Sequence, residues 1–451
     1  MSALDSSVVN IILPVVSQDF GSDVATIEWV VTIYLLVLSG LLLSFGRLGD
    51  LRGHKSIYAF GFVIFVLGSA LCGLSPNEVA LIGFRAFQAI GAAMLFSNSP
   101  AILTKNFPAE QRGQALGLQA TMTYLGLTVG PSLGGWLTTQ LGWRSVFYIN
   151  IPVGLTALLL TLRVVPQDHA EENAERFDVA GAVFFLLGLV MLLLALNQGN
   201  EWGWTSPIVL TLFAMAVLSL AAFVVVERRV PQPMLDLQLF RRRLFSASVA
   251  SAVLNYVCLY SVLFLMPFYL IQGRGFDPAS AGLLLTAQPL VMAIAAPLSG
   301  TLSDRIGARL PGTIGMTILV LGLFLLSRLG ASSAQFDIAL ALAVIGLGIG
   351  VFISPNSSAL MGSAPRHRQG IAAGVLATAR YVGMVLGVGF AGAIFTTIQA
   401  QSAASGASGA LFAGVEAGWL AAAGVGVVGV LASAVRGGSQ IQTETEIAIA
   451  K

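Results

Sequence analysis

Gly46-Arg-Leu-Gly-Asp-Leu-Arg-Gly-His-Lys55 and Gly300-Thr-Leu-Ser-Asp-Arg-Ile-Gly-Ala-Arg309 are two versions of one pattern, 254 positions apart. Glycine, leucine, aspartate and glycine keep the same places in both, and each copy joins two hydrophobic runs. A charged, glycine-bounded turn used twice in so apolar a chain implies a duplicated membrane protein. A second echo points the same way. Ser99-Pro100 and Pro108-x4-Gly113 return as Ser354-Pro355 and Pro365-x4-Gly370, shifted by 255 to 257.

Composition narrows the class. Of 451 residues, 56% are hydrophobic and 10% charged, and mean hydropathy is +0.86. A soluble domain carries about 25% charged residues, so this surface is built to face lipid. A net charge of +2, with no basic block interleaved with aromatics, argues against nucleic acid as a partner. Cys72 and Cys258 lie in apolar runs and read as reduced, packed thiols. His54, His169 and His367 read as loop residues without zinc spacing, so no metal is expected. No phosphate loop or nucleophile–base set appears, which argues against an enzyme and leaves no cofactor but an ion gradient.

A membrane-crossing helix needs about 20 apolar residues. Runs near 29–45, 56–74, 79–104, 114–139, 145–163, 179–196, 207–226, 245–271, 279–302, 311–329, 336–360, 371–396 and 411–435 satisfy this. Met1–Val16 is apolar but short and is no signal peptide. It reads as a truncated first span, giving an all-α, fourteen-span protein. Eighteen of the 23 Lys and Arg fall on the side of the Gly46–Lys55 turn; Arg144, Arg274 and Arg328 fall on the other, and Arg85 and Arg380 within spans. Basic loops stay in the cytoplasm, so both termini are placed there. The organisation expected is a six-helix bundle over 1–163, linkers and two inserted spans over 164–243, a second six-helix bundle over 244–436, and a polar tail over 437–451.

Four motifs carry a family likeness: the Gly46–Lys55 turn, Arg85-x-x-Gln88-x-x-Gly91, Gly126-x-x-x-Gly130-Pro131-x-x-Gly134-Gly135, and Leu4-Asp5-x-Ser7-x-x-Asn10-x-x-Leu13-Pro14. Over nearly its whole length the chain resembles major facilitator superfamily transporters, specifically the fourteen-span drug:proton antiporter group (EmrB/QacA-like). Ala89 stands where that group usually has glycine, and Ser7 and Ile12 where it has threonine and alanine. The likeness implies two pseudo-symmetric six-helix bundles plus two inserted helices, alternating access, and export of drugs in exchange for protons from the inner membrane.

The residues support this chemically. Asp50 sits where it can cap a helix and pair with Arg52 or Arg112; with Gly46, Gly49 and Gly53, and with Asp304 and Arg305 in the second copy, it is expected to form a cytoplasmic gate. Positive-inside topology with a tight turn is the plainer account. Gly46 and Gly49 are expected to let a helix of the opposite half come close. Arg85, deep in a span, costs at least ~2.5 kcal/mol unless partnered. Asp5, the one acid of the first span, is its expected partner and the proton carrier, protonated or not according to the nearness of Arg85 and the wetness of its surroundings. A static buried ion pair is the competing reading. A half-length first helix is expected to leave Asp5 poorly shielded in lipid. Arg380 is a second intramembrane arginine of open role, while Glu28 and Glu416 read as solvated span ends. Gly126, Gly130 and Gly134, spaced by four, form a smooth ridge that Pro131 bends beside Gly135. Asn10, Tyr34, Gln88, Asn98, Tyr260, Gln288 and Asn356 are candidates for a midplane cavity, suited to hydrophobic or cationic small molecules. The expected function is proton-driven export by a monomer, with nutrient uptake or export of one dedicated metabolite as alternatives; a non-transporting membrane protein has no need of Asp5 and Arg85 in its spans.

Overall fold

A computed structural model of the chain describes residues 2–106, 112–167, 178–203, 205–230, 237–364, 369–404 and 409–435. Among the described residues there are seventeen α-helices, with a 3-10 turn at Leu237–Arg241 and a π turn at Phe268–Gly273. The N-terminal set is α1 (Ser2–Phe20), α2 (Val24–Ile27), α3 (Trp29–Arg52), α4 (His54–Gly73), α5 (Glu78–Asn106), α6 (Arg112–Leu141), α7 (Ser145–Tyr148) and α8 (Asn150–Val164). Next come α9 (Val179–Trp202) and α10 (Pro207–Arg229). The C-terminal set is α11 (Arg243–Pro267), α12 (Pro278–Leu285), α13 (Ala287–Ile306), α14 (Arg309–Ser327), α15 (Gln335–Ser363), α16 (Gln369–Ala404) and α17 (Ala410–Ala434). Among the described residues, 12 helical stretches are long and apolar enough to cross a membrane, and Ser7–Phe20 forms a shorter apolar one. Leucines and phenylalanines such as Leu218 and Phe336 stand exposed on outer faces. Such surfaces suit a chain whose solvent is lipid rather than water.

Local chemistry sets the helix ends. Asp23, Asp178, Ser206 and Asp277 accept hydrogen bonds from first-turn amides of α2, α9, α10 and α12, satisfying donors that a helix start leaves open. The Gly46–Lys55 stretch is less of a loop than its sequence implies. Helix α3 runs through Arg52, and only Gly53 breaks the chain, at φ 91°. Gly307 does the same in the second copy, at φ 83°. Both lie in the left-handed region that glycine tolerates. Asp50 therefore belongs to the last turn of α3 rather than to a helix N-terminus.

The duplication is written into the backbone. Gly21 and Gly275 share φ values of 66° and 68° at an offset of 254. A Cβ on Gly91 would meet the Phe65 amide and Gly61 carbonyl; one on Gly348 would meet the Leu319 amide and Gly315 carbonyl. Gly68 abuts the Gln88 backbone as Gly322 abuts Ile345. Gly130 lies on Ser7 and the Leu4 carbonyl, and Gly387 on Tyr260 and the Val257 carbonyl. The offset is thus 253 at α1 and α11, 254 through α3 and α4, and 257 from α5 and α6 onward. The drift has visible causes. One residue enters at a π-helical turn, Phe268–Gly273, because a π turn holds one more residue than an α turn. Three enter where the α14–α15 connection, 328–334, replaces the shorter 74–77. Ser354 therefore corresponds to Ser97, since Gly300 faces the first as Gly46 faces the second. The Ser99-Pro100 echo of Ser354-Pro355 is two residues out of register. Pro108 and Pro365 lie outside the described residues.

The two sets meet along α6 with α12 and along α3 with α16. Gly135 lies against the Pro278 carbonyl, Gly282 against the Pro131 carbonyl, and the Ser132 and Thr286 hydroxyls share a 2.5 Å hydrogen bond. All of these lie toward the end of the molecule opposite the Gly46–Lys55 turn. Helix α9 packs on both α3 and α16, with Leu186 over Gly40.

Candidate functional site: a buried charge network

Asp5 and Arg85 meet. The Arg85 Nη1 donates to Asp5 Oδ2 at 2.8 Å and to Gln88 Oε1 at 2.7 Å, while Nε donates to the Val30 carbonyl at 3.1 Å. The other Asp5 oxygen accepts from Asn150 Nδ2 at 2.7 Å and from Gln88 Nε2 at 3.2 Å. Asn150 donates also to Ser69, whose hydroxyl donates to the Phe147 carbonyl. Arg85 lies over the Tyr34 ring, 4.0 Å from its centroid. Asp5 is 2% exposed and Arg85 1%. Helix α1 is thus no source of a lipid-facing acid: side chains of α5 and α8 cover Asp5, contrary to the exposure expected of a short first helix.

Three consequences follow from that arrangement. Removing two charges from water is repaid only by close geometry and by hydrogen bonds to the remaining lone pairs, and here one cation and two amide N–H groups converge on one carboxylate. Gln88 touches both charges, so neither moves without breaking its bonds. Arg85 is seven residues into α5, about 10 Å from its first residue, which puts the network toward the end opposite the Gly46–Lys55 turn. Asn150, Ser69 and the Val30 carbonyl were not picked out from the sequence. A lone asparagine opening an apolar helix after Tyr148-Ile149 was the available signal for the first.

The turn is tied differently from its expected role. A Cβ on Gly49 would collide with Asn98 Oδ1 and His54 Nδ1, and one on Gly46 would touch Ser97. Both glycines thus accommodate α5 of their own set, not a helix of the other. His54 is no loop residue: it opens α4, is buried, and shares a 2.8 Å hydrogen bond with Asn98. Asn98 also donates to the Phe45 and Met94 carbonyls. Arg52 and Arg305 are exposed. The side chains of Asp50, Arg112 and Asp304 lie outside the described residues, as do His169 and His367.

Gly130 and Gly134 form the smooth face read from the sequence, packed on Ser7, Val8 and Ile11 of α1. Gly126 is partly exposed one turn away. The next residues turn to a second helix: the Pro131 carbonyl and the Cα of Gly135, which has no side chain, take the α12 backbone.

Of the seven cavity candidates, Tyr34 and Gln88 belong to the charge network and Asn98 to the turn. Asn10 is buried in α1, Tyr260 packs on Gly387, and the Gln288 backbone lies against Gly346. Asn356 lines a cavity, beside Tyr256, Ser357 and Arg380. Glu28 corrects a further expectation. It is 2% exposed, with its carboxylate against the Gly392 backbone of α16, whereas Glu416 is exposed as expected. Both cysteines are buried free thiols. Among the described residues no cluster of His, Cys, Asp and Glu has metal-binding geometry.

The family model described as Major Facilitator Superfamily matches residues 1–388. The riboflavin transporter RibZ of Clostridioides difficile is 36% identical over 403 residues, 89% of this chain and 86% of that protein. The multidrug resistance protein Stp of Mycobacterium tuberculosis H37Rv is 34% identical, over 87% of this chain and 73% of its own. The tetracenomycin C resistance and export protein of Streptomyces glaucescens is 32% identical, over 88% and 74%. A crystal structure of a bacterial homologue of the human lysosomal transporter Spinster, inward-facing and unoccupied, superimposes with TM-score 0.67 at 17% identity, covering 96% of this chain and 94% of that one. With the helical architecture already described, these matches make the chain a member of the major facilitator superfamily, a multi-pass membrane transporter and not an enzyme.

Proposed function

We propose that this protein exports amphipathic small molecules across the bacterial inner membrane in exchange for protons, by alternating access between two six-helix bundles. The observation that carries the reading is the Asp5 carboxylate, held inside the N-terminal helices by Arg85, Gln88 and Asn150. One guanidinium N–H and two side-chain amide N–H groups converge on that carboxylate. Movement of α1 against α5 withdraws Arg85, lets a proton bind Asp5, and couples proton entry to release of substrate. With no nucleotide site in the sequence, an ion gradient supplies the energy.

On this reading α1 and α6 join the 12 long apolar stretches to make fourteen crossings, as in the EmrB/QacA-like group, with both termini in the cytoplasm. The bundles span 1–163 and 244–436, joined through 164–243 and followed by the tail 437–451. Asp50 with Arg52 or Arg112, and Asp304 with Arg305, latch the cytoplasmic ends. The Gly126–Gly135 segment seals the opposite end through Pro131 and Gly135. The protein acts as a monomer on hydrophobic or cationic small molecules. Relatives named for multidrug resistance and for tetracenomycin C resistance and export support efflux. A relative named as a riboflavin transporter supports transport of a single compound as a second reading.

Ethidium efflux from energised right-side-out vesicles, with and without a proton uncoupler, tests the proposal. Wild type is expected to drive efflux that the uncoupler abolishes, and Asp5→Asn to abolish ethidium-driven proton movement. Unchanged proton movement in Asp5→Asn overturns the carrier role, and accumulation in the direction of proton entry favours uptake.

A further inference from the structure

A cavity between α11, α15 and α16 lies apart from the network around Asp5. It measures about 10 Å3 and is lined by Tyr256, Asn356, Ser357 and Arg380 among apolar neighbours, room for about one water. The Arg380 guanidinium carbon stands 5.4 Å from the Tyr256 ring centroid. Tyr381 meets Phe96 of α5 edge to face, with centroids 5.8 Å apart. The residues that line the cavity all belong to the C-terminal helices, and Tyr381, next to Arg380 on α16, brings α5 of the N-terminal set alongside.

This cluster has no counterpart in the other repeat. At the offsets fixed by the backbone, Arg380, Tyr260 and Tyr256 correspond to Thr123, Ser7 and Ala3. Helix packing does not demand them, since Gly383 and Gly387 seat α16 on the Val253 and Val257 carbonyls of α11. An arginine at span depth is costly to keep and marks function more often than packing. A guanidinium presents a planar fork that matches two oxygens at once and stacks on aromatic faces. The tyrosine rings supply flat apolar walls with polar tips.

Resting on the transport reading above, we infer that Arg380, Tyr256 and Asn356 form a recognition site for planar aromatic molecules bearing an anionic or paired-oxygen edge, in preference to aromatic cations. The oxygen edge meets the guanidinium, the ring lies along Tyr256, and the ligand widens the cavity as Tyr381 and Phe96 part. The sign of the favoured charge is then opposite to that expected from composition alone.

Two planar dyes of opposite charge test this on the purified full-length protein: fluorescein, an aromatic anion, and ethidium, an aromatic cation, titrated by fluorescence anisotropy. Wild type is expected to bind fluorescein more tightly. Arg380→Gln is expected to lower the ratio of fluorescein to ethidium affinity at least about tenfold, the loss of a charged hydrogen-bonding partner. Arg380→Lys falls between, keeping the charge without the fork. Tyr256→Leu keeps the guanidinium and weakens fluorescein through loss of the wall, so it decides the matter if Arg380→Gln does not fold. A wild type that prefers ethidium, or a ratio unmoved by Arg380→Gln and Tyr256→Leu in folded protein, overturns the site. Uncoupler-sensitive ethidium efflux alongside either result leaves the transport reading standing; absence of transport with every dye removes that reading instead.

Discussion

The crossing of α4 with α5 and the crossing of α14 with α15 are built on the same backbone contacts and filled with opposite chemistry. Gly61, Gly68 and Gly91 in the first correspond to Gly315, Gly322 and Gly348 in the second. At the same offsets, Arg85, Gln88 and Ser69 correspond to Leu342, Ile345 and Leu323, and Asp5 to Cys258. Leu342, Ile345, Leu323 and Cys258 are all fully buried. The helices thus pack without any charge in one copy, so packing is no reason for the charges in the other. Buried ion pairs are seldom better for stability than well-packed hydrophobic residues. Retaining one here, next to its apolar twin, argues for a protonation role over a static tie.

Swapping the polar chemistry for its twin is the strongest way to break this comparison. Arg85→Leu alone strands the Asp5 carboxylate and is expected to destabilise the protein by about 3–5 kcal/mol. The triple variant Asp5→Cys, Arg85→Leu, Gln88→Ile installs the residues of the apolar copy and is expected to recover most of that loss. It is also expected to carry no protons with substrate. Thermal unfolding in detergent and substrate-driven proton movement read the two halves of the claim. A triple variant as unstable as the single one makes the network structural.

The sequence made some of this plain and hid the rest for physical reasons. Long apolar runs and the Gly46 and Gly300 copies carry the helical spans and the repeat, because lipid leaves few other ways to satisfy a backbone. Asp5 and Arg85 could be paired without a structure, since each is too costly to stand alone in a span. Asn150, Ser69 and the Val30 carbonyl could not, because neutral hydrogen-bonding groups in spans are common and carry no such penalty. The register was legible only to within two residues. The π turn at Phe268–Gly273 and the longer 328–334 connection shift it silently, so Ser97 hid behind the Ser-Pro coincidence. Glu28 misled because its place at a span end says nothing about the α16 backbone that covers it.

A smaller effect sharpens the comparison where the copies agree. A Cβ on Gly91 would collide with the Phe65 amide nitrogen, and one on Gly348 with that of Leu319. Alanine at either site forces the helix pair apart, at about 1–3 kcal/mol for an overpacked contact. The two variants are expected to lose nearly equal thermal stability, because backbone and not side chain sets both contacts. A loss confined to Gly91→Ala means that the charge network stiffens its own crossing.

The smallest difference concerns two aspartates at the same offset of 254. Asp23 accepts one amide hydrogen bond, from Thr26 at 2.8 Å. Asp277 accepts from the Ala279 and Ser280 amides at 3.0 Å each and from the Ser280 hydroxyl at 2.6 Å. These bonds, that of the Ser280 hydroxyl foremost, hold the Asp277 carboxyl below its ordinary value. A lowered folded value means stabilisation that is complete above the unfolded aspartate value, about 3.9, and that fades as pH falls from there through the folded value. Asp277→Ala is therefore expected to cost on the order of 1 kcal/mol at neutral pH, more than Asp23→Ala, and the gap between the two variants is expected to close below about pH 4. Thermal unfolding of both variants at neutral pH and through the acid range in which an aspartate titrates, from about pH 5 down to about pH 3, reads the gap. A gap that persists in acid assigns the difference to the Pro278 start of α12 rather than to the carboxylate.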